Sequence, residues 1–286
     1  MPSTGGWSST APSPSRRDIR SRRLWLRSGV TASAAAVVAQ RGAGRAACRL
    51  VVRRPTDASH SNRRPPCHIC PAALNSLVWA DTTHALVETF RAARVVPVVR
   101  TSRAVHAATA VQWLADAGLR IFEITMTIPD APALIRELAA DPARLVGAGT
   151  VPDRATAEAC LAAGARFIVA PWVDATLTEP CRAAGAALML GAVTPTEVRA
   201  ALAAGADVVK VFPASSVGGP AHIRALRSVL PGVAFCPTGG VEPGNLAAYL
   251  AAGAAFVGMG GALVDEKRVA AGDRVAIEAA ARQVLA

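Results

Sequence analysis

Lys210 lies inside an apolar run, Ala206-Asp207-Val208-Val209-Lys210-Val211-Phe212-Pro213, and Glu123 inside another, Ile121-Phe122-Glu123-Ile124-Thr125-Met126. The chain carries 31 basic side chains, yet only positions 210 and 267 are lysine. Lys267 sits in the polar stretch Val264-Asp265-Glu266-Lys267-Arg268, which reads as solvated surface. At position 210 an arginine could supply charge or hold an anion, but not a neutral amine. A lysine shielded from water gives up its proton more readily and can attack a carbonyl carbon to form a Schiff base. The competing reading is a stem that snorkels from a strand end toward water. Cys67-His68-Ile69-Cys70 is the one cysteine cluster, and a single CxxC without a second pair carries little weight as a zinc or redox site. Cys160, Cys181 and Cys236 are isolated in apolar contexts, as buried reduced thiols are.

Which reading of Lys210 holds depends on the elements around it. From residue 95 short apolar runs recur, with helical patterns between them. Strands are expected near Val95–Arg100, Ile121–Met126, Leu145–Gly149, Phe167–Ala170, Ala187–Gly191, Val208–Phe212, Val233–Thr238 and Ala255–Met259. Gly118, Gly164, Gly185, Gly205 and Gly253 precede five of them, where a left-handed glycine would end a helix. Pro231-Gly232 is expected to do the same before the seventh strand. Eight β-then-α units at this spacing predict a single (βα)8 TIM barrel over residues 81–286, its bottom closed by a leading helix near Thr82–Ala93. An open doubly wound sheet is the second choice, and Pro97 within the first strand is a mild objection to pairing there.

Side chains alternate along a strand, so Phe122, Ile124 and Met126 share one face and Ile121, Glu123 and Thr125 the other. The same alternation sets Val209 and Val211 against Val208, Lys210 and Phe212. Placing the larger apolar sets under the helices leaves Glu123 and Lys210 pointing into the lumen, where each costs several kcal/mol to desolvate unless the two pair or react (roughly). Polar and glycine residues gather at the strands' C-terminal ends, where barrel active sites form: Arg100, Gly147-Ala148-Gly149-Thr150, Thr238-Gly239-Gly240 and Gly258-Met259-Gly260-Gly261. Glycine pairs after the seventh and eighth strands suit a phosphate cup built from backbone N–H groups.

The net charge of +11 belongs to the first 80 residues, which hold 13 arginines and two acids; the remaining 206 residues balance 18 bases with 18 acids. The barrel therefore offers no polycationic face for nucleic acid. The Arg-, Ser- and Pro-rich segment 1–80 is expected to be a disordered basic extension, having little apolar surface to offset the entropy of ordering. Ser21-Arg22-Arg23-Leu24-Trp25-Leu26 before Thr31–Ala39 is a weak twin-arginine pattern. A start assigned too far upstream is favoured over an export signal; the next methionine is Met126, so a true start near Val78 would use a non-ATG codon. No uninterrupted run of about 18 apolar residues predicts a membrane span.

The motifs Val96-Pro97-Val98-Val99-Arg100, Glu123-Ile124-Thr125, Gly147-Ala148-Gly149-Thr150-Val151, Val209-Lys210-Val211-Phe212-Pro213 and Pro237-Thr238-Gly239-Gly240 occur in an order and spacing that is specific as a set. From about Val95 to Val264 the chain resembles the Schiff-base aldolases of 2-keto-3-deoxy-6-phosphogluconate (KDPG). It is equally similar to their relatives that act on the galactonate epimer or on 4-hydroxy-2-oxoglutarate (KHG). The resemblance implies Lys210 as the Schiff-base lysine and Glu123 as general acid/base. It implies Arg100, Thr150 and Thr238 around the pyruvyl carboxylate and Pro171 and Phe212 as walls. The backbones of Gly239, Gly240, Gly260 and Gly261 would take the terminal phosphate. It further implies a small-molecule keto-acid substrate, no metal or other cofactor, a cytoplasmic setting and a homo-oligomer, a trimer by analogy.

Two positions depart from the common pattern. Thr127 stands four residues after Glu123, where many relatives carry arginine; others share the threonine and place arginine as Arg100 is placed here. Gly261 stands where a serine is often found, which leaves backbone donors only and keeps a non-phosphorylated keto acid in view as substrate. Two other function classes compete. One is a phosphate-binding barrel isomerase or synthase that forms no Schiff base. The other is a vestigial barrel whose basic extension binds nucleic acid or a membrane surface.

Overall fold

In the computed structural model, secondary structure is described for residues 71–286 and side-chain surroundings for residues 82–286. The Cys67–Cys70 cluster, the twin-arginine pattern and residues 1–70 of the expected disordered extension lie outside these described residues, whereas residues 71–80 of that extension form the first turns of a helix rather than disordered chain.

Eight parallel strands form one sheet in the order β7-β6-β5-β4-β3-β2-β1-β8. They are β1 (Val95–Val99), β2 (Ile121–Thr125), β3 (Leu145–Gly149), β4 (Phe167–Ala170), β5 (Ala187–Gly191), β6 (Val208–Val211), β7 (Phe235–Pro237) and β8 (Val257–Met259). A parallel bridge between Thr238 and Gly258, with the Ala255 N–H donating to the Phe235 carbonyl at 2.8 Å, joins β7 to β8 and closes the ring. The barrel expectation holds. β1 pairs with β2 only at Val98↔Glu123 and Val99↔Ile124, so that ladder begins just past Pro97 and the missing N–H is not needed there.

The helices are α1 (Pro71–Ala93), α2 (Ala104–Asp116), α3 (Ala131–Ala139), α4 (Arg154–Ala162), α5 (Thr178–Ala184), α6 (Pro195–Ala203), α7 (Gly219–Val229), α8 (Leu246–Ala251), α9 (Glu266–Ala270) and α10 (Arg274–Leu285). Several starts are capped by side chains: Asp153 accepts from Thr156 N–H ahead of α4, and Thr194 with Glu197 forms a capping box at α6. The five expected helix-ending glycines all have positive φ, between 62° and 114°. Gly232 does not; α7 ends instead at Leu230, with φ −132° and ψ 65°, and the chain reaches β7 without a left-handed residue.

Other boundaries shift as well. α1 starts at Pro71 rather than near Thr82, and β1, β2 and β6 stop one residue short of the expected ends. β7 and β8 are only three residues long. Arg100, Met126, Phe212 and Thr238 therefore fall in the loops that shape the rim, where pairing gives way to the turns a site needs. Eight units end in two helices, since both α9 and α10 follow β8, and α10 packs on α2.

The alternation inferred for the strands is present. Phe122, Ile124, Val209 and Val211 pack with the helices in the outer core, whereas Ile121, Phe167, Met189, Val208 and Cys236 pack inside with α1. Phe90 of α1 is fully buried at the lumen's N-terminal end. Its ring lies edge-on to Phe167 at 5.1 Å and tilted against Phe256 at 5.2 Å. Phe90→Ala is expected to destabilise the fold by about 3–5 kcal/mol, the range for a fully buried phenylalanine. Urea unfolding followed by circular dichroism measures it.

Candidate active site

Lys210 and Glu123 meet inside the barrel, as the alternation required: Lys210 Nζ lies 3.1 Å from Glu123 Oε1. The residues are 5% and 4% exposed, so neither is a snorkelling surface charge. The register carries them there. Lys210 is paired with Gly191 on one side and Cys236 on the other, and Glu123 with Val98 and Gly147. Cys236 behind them is a neutral thiol, its pKa pushed up to about 12 by burial.

Glycines make the space. A Cβ on Gly149 would come within 2.1 Å of Glu123 Oε1, so the carboxylate arm occupies the room of an absent side chain. One on Gly191, beside Lys210, would meet the Pro171 carbonyl at 2.1 Å. Thr150 follows Gly149 with φ +56°, a left-handed conformation uncommon for a β-branched residue. That turn lets its hydroxyl accept from Arg100 Nη2 at 3.3 Å, across from the end of β1.

Above the pair opens a cavity of about 790 Å³. Arg100, Thr150, Pro171, Lys210, Phe212, Thr238, Gly239, Gly240, Gly260 and Gly261 all line it. Ten of the eleven candidates thus share one space. Glu123 is not on its wall and reaches it through Lys210.

The glycine loops form the cavity's other end. Gly239 and Gly240 have φ of +91° and +71°. The Thr238 and Gly239 carbonyls accept from Ala214 and Ser215 N–H at 2.8 and 3.0 Å. A trans peptide holds N–H opposite C=O, so the Gly240 N–H points away from Ser215. The Gly260 carbonyl accepts from Leu263 and Val264 N–H, which likewise turns the Gly261 N–H away from that turn. Two residues missed by sequence reasoning belong here. Glu242 lines the same end, two positions beyond Gly240, and a Cβ on Gly240 would collide with Ser215 Oγ at 2.2 Å. The proximity of Glu242 to the glycine pair was the available signal; nothing in the linear sequence pairs Ser215 with Gly240. Thr127, in the arginine position of other relatives, is exposed and exchanges a 2.8 Å hydrogen bond with Thr125. Among the described residues no three His, Cys, Asp or Glu side chains gather as metal ligands, and no helix is long and apolar enough to cross a membrane.

The family model for KDPG and KHG aldolases matches residues 86–280. The chain belongs to the KDPG and KHG aldolase family. It is 36% identical over 203 residues to the 2-dehydro-3-deoxy-phosphogluconate aldolase of Treponema pallidum, covering 70% of this chain and 96% of the relative. With the KHG/KDPG aldolase of Escherichia coli K12 it shares 30% over 208 residues, 72% of this chain and 96% of that one. Among solved structures, KDPG aldolase from Legionella pneumophila, holding pyruvate as a covalent carbinolamine intermediate, superposes with a TM-score of 0.64 at 30% identity, over 69% of this chain and 97% of the other. The protein is thus an aldolase, of the aldehyde-lyase class.

The geometry of this aldolase makes Gly149 a point where its pair can be separated without touching either member. Gly149→Ala should leave the far-UV spectrum intact while lowering kcat at least about 100-fold, the low end for loss of a positioned proton-transfer group. Steady-state cleavage assays on folded protein check it.

Proposed function

We propose that Lys210 is the Schiff-base nucleophile and Glu123 the proton carrier in cleaving a 2-keto-3-deoxy acid to pyruvate and an aldehyde. The observation that carries this reading is the 3.1 Å contact between the two groups, both buried, at the foot of the cavity. Glu123 takes a proton from Lys210, and the free amine attacks the C2 ketone to give a carbinolamine. Glu123 returns the proton to the departing hydroxyl, which leaves as water, and a C2 iminium remains. Glu123, again a carboxylate, takes the proton of the C4 hydroxyl as the C3–C4 bond breaks, and it holds that proton for return to C3. The bonding electrons pass into the iminium as an enamine, and the aldehyde departs. The enamine takes a proton at C3, and water hydrolyses the resulting iminium to free pyruvate and Lys210.

Arg100, held by Thr150, faces the substrate carboxylate in this reading, with the Thr238 hydroxyl beside it. Pro171 and Phe212 wall the reacting carbons. The Gly239-Gly240 and Gly260-Gly261 loops receive the far end of the substrate, a phosphate or, in KHG, a carboxylate, through backbone N–H groups. KDPG, its galactonate epimer and KHG all fit that plan, with glyceraldehyde 3-phosphate as the aldehyde from the first two and glyoxylate from KHG. By family analogy the protein works as a homotrimer in the cytoplasm.

Incubation with pyruvate and sodium borohydride should add one pyruvyl unit to the peptide containing Lys210, read by intact mass and peptide mapping. Lys210→Arg should give no adduct and no cleavage. Turnover by that variant, or by wild-type protein that forms no adduct, would instead favour the phosphate-binding isomerase or synthase. Among the described residues, Glu242 is the one carboxylate lining the cavity, at its glycine end. Removing a like charge there should strengthen phosphate binding, so Glu242→Gln is expected to lower KM for KDPG roughly two- to fivefold, about 0.5–1 kcal/mol for an exposed charge pair. KM for KHG, which carries a singly charged carboxylate in place of the phosphate, should respond less.

A further inference from the structure

Outside the cavity, three hydrogen bonds converge on one oxygen of Glu266, the first residue of α9. Glu266 Oε1 accepts from the Ser102 N–H at 2.8 Å and the Ser102 hydroxyl at 2.7 Å, and it lies 2.9 Å from His106 Nδ1. Hydrogen bonds from His106 and Ser102 hold this carboxyl below the usual carboxylate range, so the acceptor is charged at neutral pH. The three residues join parts of the chain about 160 positions apart.

What the contact joins matters more than its strength. Ser102 is two residues beyond Arg100. Between them Thr101 is buried, and its hydroxyl donates to the Arg103 carbonyl at 2.9 Å, so little slack separates the guanidinium's backbone from the clasp. On the other side, Glu266 follows Asp265, whose carboxylate caps α9 by accepting from Lys267 and Arg268 N–H. Ala262 and Val264, just before that cap, line the cavity with Gly260 and Gly261. β1 and β8 are neighbours in the sheet, with Val96 beside Gly258 and Pro97 beside Met259, but their ladder ends there. Past it, the loop bearing Arg100 and the last glycine loop are tied by side chains.

We propose that Glu266 is a positioning residue for the aldolase, holding the Arg100 loop against the last glycine loop through Ser102 and His106. Because it never touches substrate, it acts only through Arg100 and the loop it anchors. The inference rests on the reading of Arg100 as the partner of the pyruvyl carboxylate.

Pyruvate is the right probe, since it carries the carboxylate and ketone but no distal group. In borohydride trapping, Glu266→Ala should raise the half-saturating pyruvate concentration roughly three- to tenfold and leave the maximal trapping rate within about twofold, the scale of one charge-assisted hydrogen bond. Glu266→Gln, which keeps an acceptor oxygen, should recover most of the affinity. Ser102→Ala deletes one bond at the surface without threatening the fold and should shift it in the same direction by less. Arg100→Ala alone tests the underlying reading, and should raise the half-saturating concentration by itself. In the double variant, Glu266→Ala should add almost nothing to Arg100→Ala, because a clasp has no guanidinium left to place. Additive effects, or unchanged affinity in both Glu266→Ala and Ser102→Ala, overturn the positioning role while leaving the carboxylate reading intact. An Arg100→Ala variant with wild-type pyruvate affinity overturns both.

Discussion

An amine and a carboxyl group taken out of water together, 3.1 Å apart, set the terms for the rest of this molecule. Removing one partner of such a pair costs about 3–5 kcal/mol, whereas replacing both with apolar groups is often neutral. Stability alone therefore gives no reason to keep it. Its presence obliges the barrel to supply a matching void, which it does at Gly149 for the carboxylate. It also requires two strands four positions apart in the ring to aim inward at one height, and the parallel registers accomplish that. The Phe90, Phe167 and Phe256 cluster fills the opposite end of the lumen and separates the pair from the solvent beyond α1.

The site divides its labour by element type. Lys210 and Glu123, the proposed reacting pair, stand on strands, where neighbours on both sides fix them. The cavity-lining groups proposed to bind substrate stand at strand ends and in loops: Arg100, Thr150, Thr238 and the glycines. This arrangement lets specificity change at the rim without disturbing the reacting pair. Thr127 and Gly261, the two departures from the pattern common among relatives, both lie at that rim.

Much of this was legible in the linear sequence because two periodicities carry it. Period-two alternation turned Glu123 and Lys210 to the same side, and helix-ending glycines marked five of the eight units. Strand ends were less legible. Residues such as Phe212 and Thr238 continue a β-like pattern, but rim geometry rather than propensity decides where pairing stops. Gly232 shows the same limit: a Pro-Gly pair suggests a left-handed turn, yet the chain after Leu230 reaches β7 by another route. Long-range partners were invisible. Nothing local couples Ser102 to Glu266 or Gly240 to Ser215, since those contacts arise only when the ring closes. Glu242 escaped notice for a different reason: an exposed acid in a loop looks like ordinary solvated surface.

Thr150 shows how the fold and the chemistry pull against each other. A β-branched residue at φ +56° is held in a conformation that costs of order 1 kcal/mol or more, and glycine would relieve it. Glycine would also delete the hydroxyl that meets Arg100. With Thr150 in its proposed role beside Arg100, the residue that best suits the turn and the residue that best suits the site are therefore different ones.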